Sequence, residues 1–344
     1  MSIAGAPRLL VLVTGAARSG TSTAAGTLHH LGLEVPGPFM AANESNPKGF
    51  YESRWSVRFH NELIREAGVN VVDGRPEARE RIRAAVDDRA RRRVARYLER
   101  HHDLDQLVVK DPRTVWTQYL WADAARDAGR EIRYLSMLRH PAEVVGSRNT
   151  YYADHSRAAG ATEPQQQASL NLMRWINTTL VSEHATRGAR RSFVEYADLL
   201  VDWRPVMSRV GVELGLRFDP PTAVTPHPVD DFIDPALRRH APSWDAVPAP
   251  ASLQDVAQRV WDLHGRLVHG AGADETAQDG LDVVADDYRR LVEEAALLDQ
   301  EAQHEAVRRA RAAAPTVASR PVEEFRSREL LRIIGRRAVG RGRR

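Results

Sequence analysis

The chain has 344 residues, of which 42% are hydrophobic and 28% are charged, and it contains no cysteine. The hydrophobic fraction is enough for a buried core, while the lack of cysteine excludes disulfides, thiolate nucleophiles and cysteine-ligated metal sites. The net charge is +3, but residues 326–344 hold eight arginines and a single acidic residue. The rest of the chain is therefore mildly acidic and offers no generally basic face to nucleic acid. No apolar run is long enough for a membrane span or a secretion signal, so we expect a cytoplasmic protein.

Four short apolar runs alternate with longer helical patterns along the first part of the chain. The runs are Leu9–Thr14, a segment around Val108–Val109, Ile132–Leu138 and Phe193–Tyr196, and a helical pattern follows each one. Nearly continuous apolar runs are typical of strands buried on both faces, and their alternation with helices predicts a parallel sheet. We therefore predict an α/β domain over residues 1–250, with three layers, α/β/α, around a central parallel sheet.

Three further helical patterns fall inside this domain, at Trp55–Ala67, Ala78–His101 and Gln165–Arg187. Two more, Leu253–His269 and Leu281–Arg311, predict a C-terminal helical extension over residues 251–313. In the last pattern apolar residues recur at steps of three and four. This periodicity fits an amphipathic helix docked on the body and, as a second interpretation, a short seam that would join two copies into a homodimer.

Residues 314–344 are predicted to form a flexible, arginine-rich tail. The charge of this segment, next to a few leucines and isoleucines, suits peripheral contact with an anionic membrane. A solvated tail that aids solubility explains the same composition equally well. No aromatic residue follows Phe325 to stack on bases, so we predict no nucleic-acid partner.

The loop after the first apolar run carries the most specific signal. Residues 15–22 read G-A-A-R-S-G-T-S between a predicted strand and a predicted helix. Backbone N–H groups in such a loop, together with the helix N-terminus, bind phosphate-like anions. The nucleotide-triphosphate loop G-x-x-x-x-G-K-[ST] differs at one place, because Thr21 stands where its lysine belongs and a cation, Arg18, lies three residues earlier. The sequence therefore predicts an anion site, but not an ordinary kinase loop.

A second motif follows the third apolar run. Residues 139–147 read R-H-P-A-E-V-V-G-S, with Arg139 at the predicted strand end and Ser147 eight residues later. Pro141 suits the first turn of a helix, which places Ser147 about two turns along that helix. The spacing thus places a cation at the end of the strand and a hydroxyl group in the helix that follows it.

The two motifs, in this order and each after a strand, resemble those of sulfotransferases that use 3′-phosphoadenosine-5′-phosphosulfate (PAPS), in particular bacterial members. The stretches N-P-K-G-F-Y-E at residues 46–52 and F-V-E-Y-A-D-L at residues 193–199 are similar to further family segments. The resemblance implies a P-loop-like fold with PAPS as co-substrate. The donor-binding residues it implies are Arg18, Ser19, Gly20, Thr21 and Ser22 at the 5′-phosphosulfate, Arg139 and Ser147 at the 3′-phosphate, with Arg238 or Arg239 as a further candidate there, and Tyr196 at the adenine.

Sulfuryl transfer needs cations that offset developing charge and a base that accepts the acceptor's proton. The predicted catalytic cations are Arg18 and Lys110, which ends the second strand at the edge where open α/β sheets bind ligands. The predicted bases are, in order of preference, Glu52, Asp111 and Glu44. Pro112 stands where cytosolic animal relatives carry a histidine, so a histidine base does not transfer to this chain.

The predicted activity is transfer of a sulfuryl group from PAPS to a hydroxyl of an acceptor, for which a carbohydrate or glycolipid is the first choice by analogy. No histidine spacing typical of metal sites occurs, and this chemistry needs no metal. A P-loop nucleotide kinase or NTPase and a non-catalytic PAP-binding interaction protein are the alternatives. Aromatic residues that can line an acceptor site, or that pack in the core, are Tyr51, Trp55, Trp116, Tyr151 and Tyr152.

Overall fold

The structure, a computed structural model, describes residues 7–44, 46–148, 163–238 and 242–313. Tyr151, Tyr152, Arg239 and the arginine-rich tail lie outside the described residues, so the membrane contact of the tail stays a prediction. The chain divides into two compact units, of which the first ends at Leu291 and the second begins at Val292.

Strands and helices alternate in the order that the apolar runs predict. The strands are β1 (Arg8–Gly15), β2 (Gln106–Lys110), β3 (Arg130–Leu138) and β4 (Arg191–Glu195). The helices are α1 (Thr21–His30), α2 (Arg54–Glu66), α3 (Ala78–Ala85), α4 (Asp88–Arg100), α5 (Gln118–Asp127), α6 (141–148), α7 (Pro164–Ala185), α8 (Tyr196–Val201), α9 (Trp203–Leu214), α10 (Pro228–Phe232), α11 (Ala251–His269) and α12 (Glu275–Ala313). Within the described part of the chain, no helix combines the length and the apolar character needed to cross a bilayer.

The four strands form one parallel sheet in the order β2-β1-β3-β4. In the register, Val13 of β1 lies opposite Lys110 of β2, and Gly15 lies opposite Met137 of β3. Because all strands run the same way, their carboxyl ends meet at one edge, where open α/β sheets bind ligands. The predicted α/β fold with a central parallel sheet is confirmed, and the predicted glycine loop begins at this edge.

The core has two apolar layers, one on each face of the sheet. Val11 and Val13 of β1 pack with residues of α1, α8 and α9, whereas Leu10 and Leu12 pack with residues of α4 and α5. Successive side chains of a strand point to opposite faces, so the continuous apolar run of β1 fills both layers. This burial explains the three-layer architecture.

The segment predicted as one helix over Ala78–His101 contains two helices, which corrects that prediction. α3 ends at Ala85, Val86 is extended, and Asp87 caps α4 by accepting a hydrogen bond from the Ala90 amide at 2.8 Å. A free helix N-terminus is stabilised by such a cap. The helical periodicity on both sides of the break hid the cap from the sequence pattern.

The C-terminal helical pattern is divided between the two units. In the first unit, α11 packs against α7 and β4, and three apolar residues of α12, Leu281, Val284 and Tyr288, are at most 1% exposed. The Tyr288 hydroxyl donates to the Gly74 carbonyl. In the second unit, Leu298 is 74% exposed. The first half of the predicted seam is therefore a docked amphipathic helix, whereas a homodimer through the second half stays a prediction.

We expect a chain ending at Leu291 to unfold at the same temperature as the full chain, because none of residues 292–310 is buried. A chain ending at Asp274 additionally loses Leu281, Val284 and Tyr288. Burial of three such side chains stabilises by roughly 5 kcal/mol, so its melting temperature should fall by about 10 °C or more. Calorimetry of the three chains measures this, and equal losses from both truncations would contradict it.

Candidate active site

The loop between β1 and α1 has the backbone of an anion site. Gly15 (φ +137°) and Gly20 (φ +87°) both adopt conformations that L side chains rarely reach, and Arg18 between them is left-handed as well, at φ +74°. A Cβ on Gly15 would lie 2.5 Å from the Met137 carbonyl oxygen, so the loop must start with glycine. The Ser19 hydroxyl is buried without a hydrogen-bond partner among the described residues. A loop that turns back on itself before a helix N-terminus, with an unsatisfied hydroxyl inside, is suited to a phosphate-like group.

Tyr196, the predicted adenine contact, packs directly on this loop. A Cβ on Gly20 would lie 2.2 Å from the Tyr196 ring, and the Arg139 guanidinium lies 4.9 Å from the centre of the same ring. Burial raises the pKa of the Tyr196 phenol, which stays neutral. The ring therefore holds the loop and the strand-end arginine together, whether or not it also contacts a base.

The two sequence motifs meet in space. Arg18 Nε donates to Ser147 Oγ at 3.3 Å, and Arg139 Nη1 donates to the carbonyl oxygen of Arg18 at 3.1 Å. The two predicted anion positions, one in the loop and one at the end of β3, are thus adjacent. Their adjacency follows from the β1–β3 pairing, since the loop and α6 both start at the same sheet edge.

Glu143, a residue that the sequence analysis did not single out, joins two cations at this position. Arg139 Nε donates to Glu143 Oε2 at 3.0 Å, and Arg238 Nη2 donates to Glu143 Oε1 at 2.7 Å. The hydrogen bond that Arg238 donates to Glu143 raises the pKa of Arg238. Of the two late arginines predicted near the 3′-phosphate, Arg238 reaches this cluster. The spacing of four residues between Arg139 and Glu143 was the available signal, because it allows a local ion pair.

A second cluster contains the preferred base and the predicted strand-end cation. Lys110 Nζ donates to Glu52 Oε1 at 2.6 Å and to Ser22 Oγ at 3.0 Å. Burial lowers the pKa of Lys110, and the attraction of Glu52 partly offsets that effect. Lys110 therefore links Glu52 to the first turn of α1, immediately after the anion loop.

Asp111, the second candidate base, lies inside the protein. It is fully buried and accepts hydrogen bonds from Ser56 Oγ at 3.1 Å, His60 Nδ1 at 2.9 Å and Arg113 Nη1 at 2.8 Å. Trp121 Nε1 donates to His60 Nε2, so Nδ1 carries the proton that faces Asp111. Burial alone would raise the pKa of Asp111, but His60 and Arg113 together hold it well below its usual range.

Arg113 connects this buried network to the candidate base. Its Nη1 lies 3.4 Å from Glu52 Oε2, so Glu52 faces Lys110 through one oxygen and Arg113 through the other. The sequence analysis missed Arg113 and His60. Arg113 follows the strand-end Lys110 by three residues, which was a usable signal, whereas His60 comes from α2 and carried none.

The remaining candidates lie elsewhere. Glu44, the third candidate base, is exposed, and Trp116 is fully buried in the core. Tyr51 packs against Phe39 and Phe232. Among residues that the structure describes, no group of three or more histidine or acidic side chains is arranged to hold a metal ion.

No family model matches the chain, and no curated protein is significantly similar to it. Among solved structures, the sulfotransferase domain of the olefin synthase from Synechococcus PCC 7002 is similar at 20% identity and a TM-score of 0.44, over 75% of this chain and 95% of that domain. The sulfotransferase domain from the curacin biosynthetic pathway is similar at 15% identity and a TM-score of 0.41, over 74% of this chain and 96% of that domain. Both descriptions name the enzyme class that the sequence motifs resemble. At these identities and TM-scores, a functional assignment must rest on the side chains of this chain.

Gly20→Ala should lower the free energy of unfolding by more than the strain of the left-handed backbone alone accounts for. Gly129 is also left-handed, at φ +64°, but a Cβ there meets nothing within 4 Å. Gly129→Ala is therefore a matched control that costs about 1–2 kcal/mol through backbone strain. Gly20→Ala adds a collision with the buried Tyr196 ring, and its loss of unfolding free energy should exceed the control's by about 1–3 kcal/mol. Denaturant titration measures both, and equal losses would show that Tyr196 does not constrain the loop.

Proposed function

We propose that the protein is a sulfotransferase that transfers a sulfuryl group from PAPS to a hydroxyl group of an acceptor. Two contacts between the motifs carry this proposal, since Arg18 of the first motif touches Ser147 of the second through its side chain and Arg139 of the second through its backbone. A nucleotide with a 5′-phosphosulfate and a 3′-phosphate can use two adjacent anion positions at once. ATP lacks the 3′-phosphate that the second position would bind.

The residues present fit this donor. The unsatisfied Ser19 hydroxyl and the amides that open α1 would hold the 5′-phosphosulfate. Arg139, Ser147 and Arg238 would hold the 3′-phosphate, where Glu143 now provides the negative charge between the two guanidinium groups. Tyr196 stays the predicted adenine contact.

PAPS would supply a sulfuryl group attached through a bridging oxygen to its 5′-phosphate. In the transfer, the acceptor oxygen forms a bond to sulfur, and the bridging oxygen keeps the electron pair of the bond that breaks. The other product is 3′-phosphoadenosine-5′-phosphate (PAP). The chain must accept the hydroxyl proton and stabilise the charge on the leaving oxygen, as in phosphoryl transfer.

Glu52, Lys110 and Arg18 are suited to these tasks. Lys110 contacts Ser22 beside the loop, so we assign charge stabilisation to Lys110 together with Arg18. Glu52 lies next to Lys110 and is our choice of base. We assign Asp111 a positioning role, because its oxygens already hold His60 and Arg113, and Arg113 in turn faces Glu52.

The two alternatives use the same fold. A nucleotide kinase of this type would carry a lysine in place of Thr21 to reach the terminal phosphates of ATP, whereas this chain has a threonine there. A non-catalytic PAP-binding protein would have no use for the buried Lys110–Glu52 pair, which costs desolvation energy. Both alternatives are outcomes of the experiments that follow.

PAP should raise the melting temperature, because it binds the native state preferentially. At a concentration 100 times the dissociation constant the stabilisation is about 2.7 kcal/mol, which corresponds to roughly 5 °C. Arg139→Ala should remove most of the shift. Arg126→Ala is the control, because the Arg126 side chain on α5 is 72% exposed, and it should leave the shift unchanged. Differential scanning fluorimetry measures the shifts. An equal shift with ATP and magnesium would instead support the kinase alternative.

Glu52→Gln should lower turnover by about 10²–10⁴-fold, because the amide cannot accept the proton. The PAP-induced shift in melting temperature should be nearly the same as in the wild-type chain. Glu44→Gln is the matched control at an exposed position and should have normal turnover. Transfer from radiolabelled PAPS to a panel of hydroxyl compounds measures the rates. Normal turnover by Glu52→Gln would exclude Glu52 as base, and PAP binding without turnover by any variant or acceptor would favour the non-catalytic alternative.

A further inference from the structure

A groove of about 710 Å³ lies between α2 and α4, outside the site described above. The residues that line it are Trp55, Arg93, Arg96, Glu99, Arg100 and His102. Its volume lies within the range of small-ligand sites. The lining is unusual because it combines one aromatic ring, three arginines and one carboxylate.

Two of the three arginines are available to a ligand. Arg93 is engaged, since its Nη1 lies 2.6 Å from Glu62 Oε2 and its guanidinium covers the Phe59 ring at 4.9 Å. Arg96 and Arg100 are exposed, and neither forms an ion pair with a described residue. Arg100 Nε donates to the Arg96 carbonyl oxygen at 3.2 Å, which leaves its two terminal nitrogens for a ligand. Their spacing of four residues places them on the same face of α4.

The groove and the candidate base share the beginning of α2. Trp55 follows Glu52 by three residues, and Ser53 between them caps the helix. The Trp55 ring stacks on Tyr97 of α4 at 4.3 Å, and the Tyr97 hydroxyl lies beside Ser53. Three residues of chain span at most about 11 Å, so Glu52 lies within the length of two or three sugar rings of the Trp55 side of the groove.

We propose that this groove binds an acidic saccharide, with a carboxylate or sulfate of the sugar on Arg96 and Arg100. The inference rests on the proposed function, because the saccharide would be the acceptor whose hydroxyl is directed to Glu52. Guanidinium groups bind such anions with charge-assisted hydrogen bonds. The Trp55 ring stacks on Phe59 and Tyr97, and the part of it that lines the groove offers an apolar surface to the ring carbons. Glu99 accepts hydrogen bonds from sugar hydroxyls.

Glu99 distinguishes this ligand from nucleic acid. A nucleic-acid backbone presents negative charge at every residue, and the Glu99 carboxylate in the lining would repel it. A saccharide with hydroxyls beside a localised acid group uses both the carboxylate and the arginines. The charge pattern of the groove therefore favours a short acidic saccharide over a continuous polyanion.

The test uses the full chain saturated with PAP and two probes with the same sugar rings, the charged trigalacturonate and its neutral methyl ester. Titration calorimetry near 0.15 M salt, where long-range attraction is screened, should show binding of the acid at least tenfold tighter than the ester. Arg96→Ala/Arg100→Ala should weaken binding of the acid at least tenfold. Arg91→Ala is the matched control on the same helix, because Arg91 faces Asp123 at 4.0 Å instead of the groove, and should change binding less than twofold.

Each outcome bears on the groove separately from the donor site. The PAP-induced shift in melting temperature should be the same in the wild-type chain, the double variant and Arg91→Ala. Absence of that shift in the wild-type chain would overturn the proposed function, whereas the titration with the two saccharide probes would still report on the groove. Equal binding of acid and ester, no measurable binding of the acid, or equal losses with Arg91→Ala would overturn the groove assignment. Tighter binding of a single-stranded RNA hexamer, weakened by the same double substitution, would assign the groove to nucleic acid and overturn it as well.

Discussion

The parallel register of β1 with its two neighbours determines which side chains can meet in this protein. Val13 lies opposite Lys110, and Gly15 lies opposite Met137, two residues before Arg139. Neighbouring strands are about 4.8 Å apart, so the loop after β1, the cation that ends β2 and the arginine that follows β3 must converge. The hydrophobic residues of β1 that fill both apolar layers maintain this register, because a shift by one residue would exchange the two faces. The candidate site thus depends on core packing, in which Tyr196 itself takes part.

Cations buried at this edge have acidic partners within the chain. Lys110 pairs with Glu52, Arg139 with Glu143 and Arg113 with Asp111. Removal of an unpaired charge from water costs several kcal/mol, and these carboxylates offset that cost. An anionic donor therefore meets cations that already have partners, and its phosphates must share or displace those carboxylates. This arrangement keeps the cations oriented before the donor binds, which reduces the reorganisation that binding requires.

The helix α2 connects three parts of the molecule. Its cap follows Glu52, its inner face carries Ser56 and His60 to the buried Asp111, and Trp55 lines the groove beside α4. The pairing of His60 with Asp111 fixes the helix against the end of β2. A ligand in the groove would consequently be held at a defined distance from the sheet edge.

The sequence by itself determined the layers, the order of strands and helices, and the residues of the anion loop. These features are local: the periodicity of apolar residues and the glycines at left-handed positions follow from the backbone of a few consecutive residues. It also placed Glu52, Lys110 and Arg139 at element ends, where a parallel sheet exposes side chains. Only the tertiary structure showed that Lys110 donates to Glu52, because two residues separated by 58 positions leave no periodic pattern in the sequence.

The same limit applies to Glu143, Arg113, His60 and the groove. An ion pair or a groove wall depends on the direction and rotamer of side chains from different elements. The pattern of polar residues along a helix does not distinguish the charged residue that forms such a pair from the others on the same face. The break before Asp87 had a local cause, but a neighbouring helical pattern concealed it. The secondary structure of a segment could thus be predicted from its own residues. Which segments form ion pairs with each other was decided by tertiary packing, because electrostatic pairing acts through space and not along the chain.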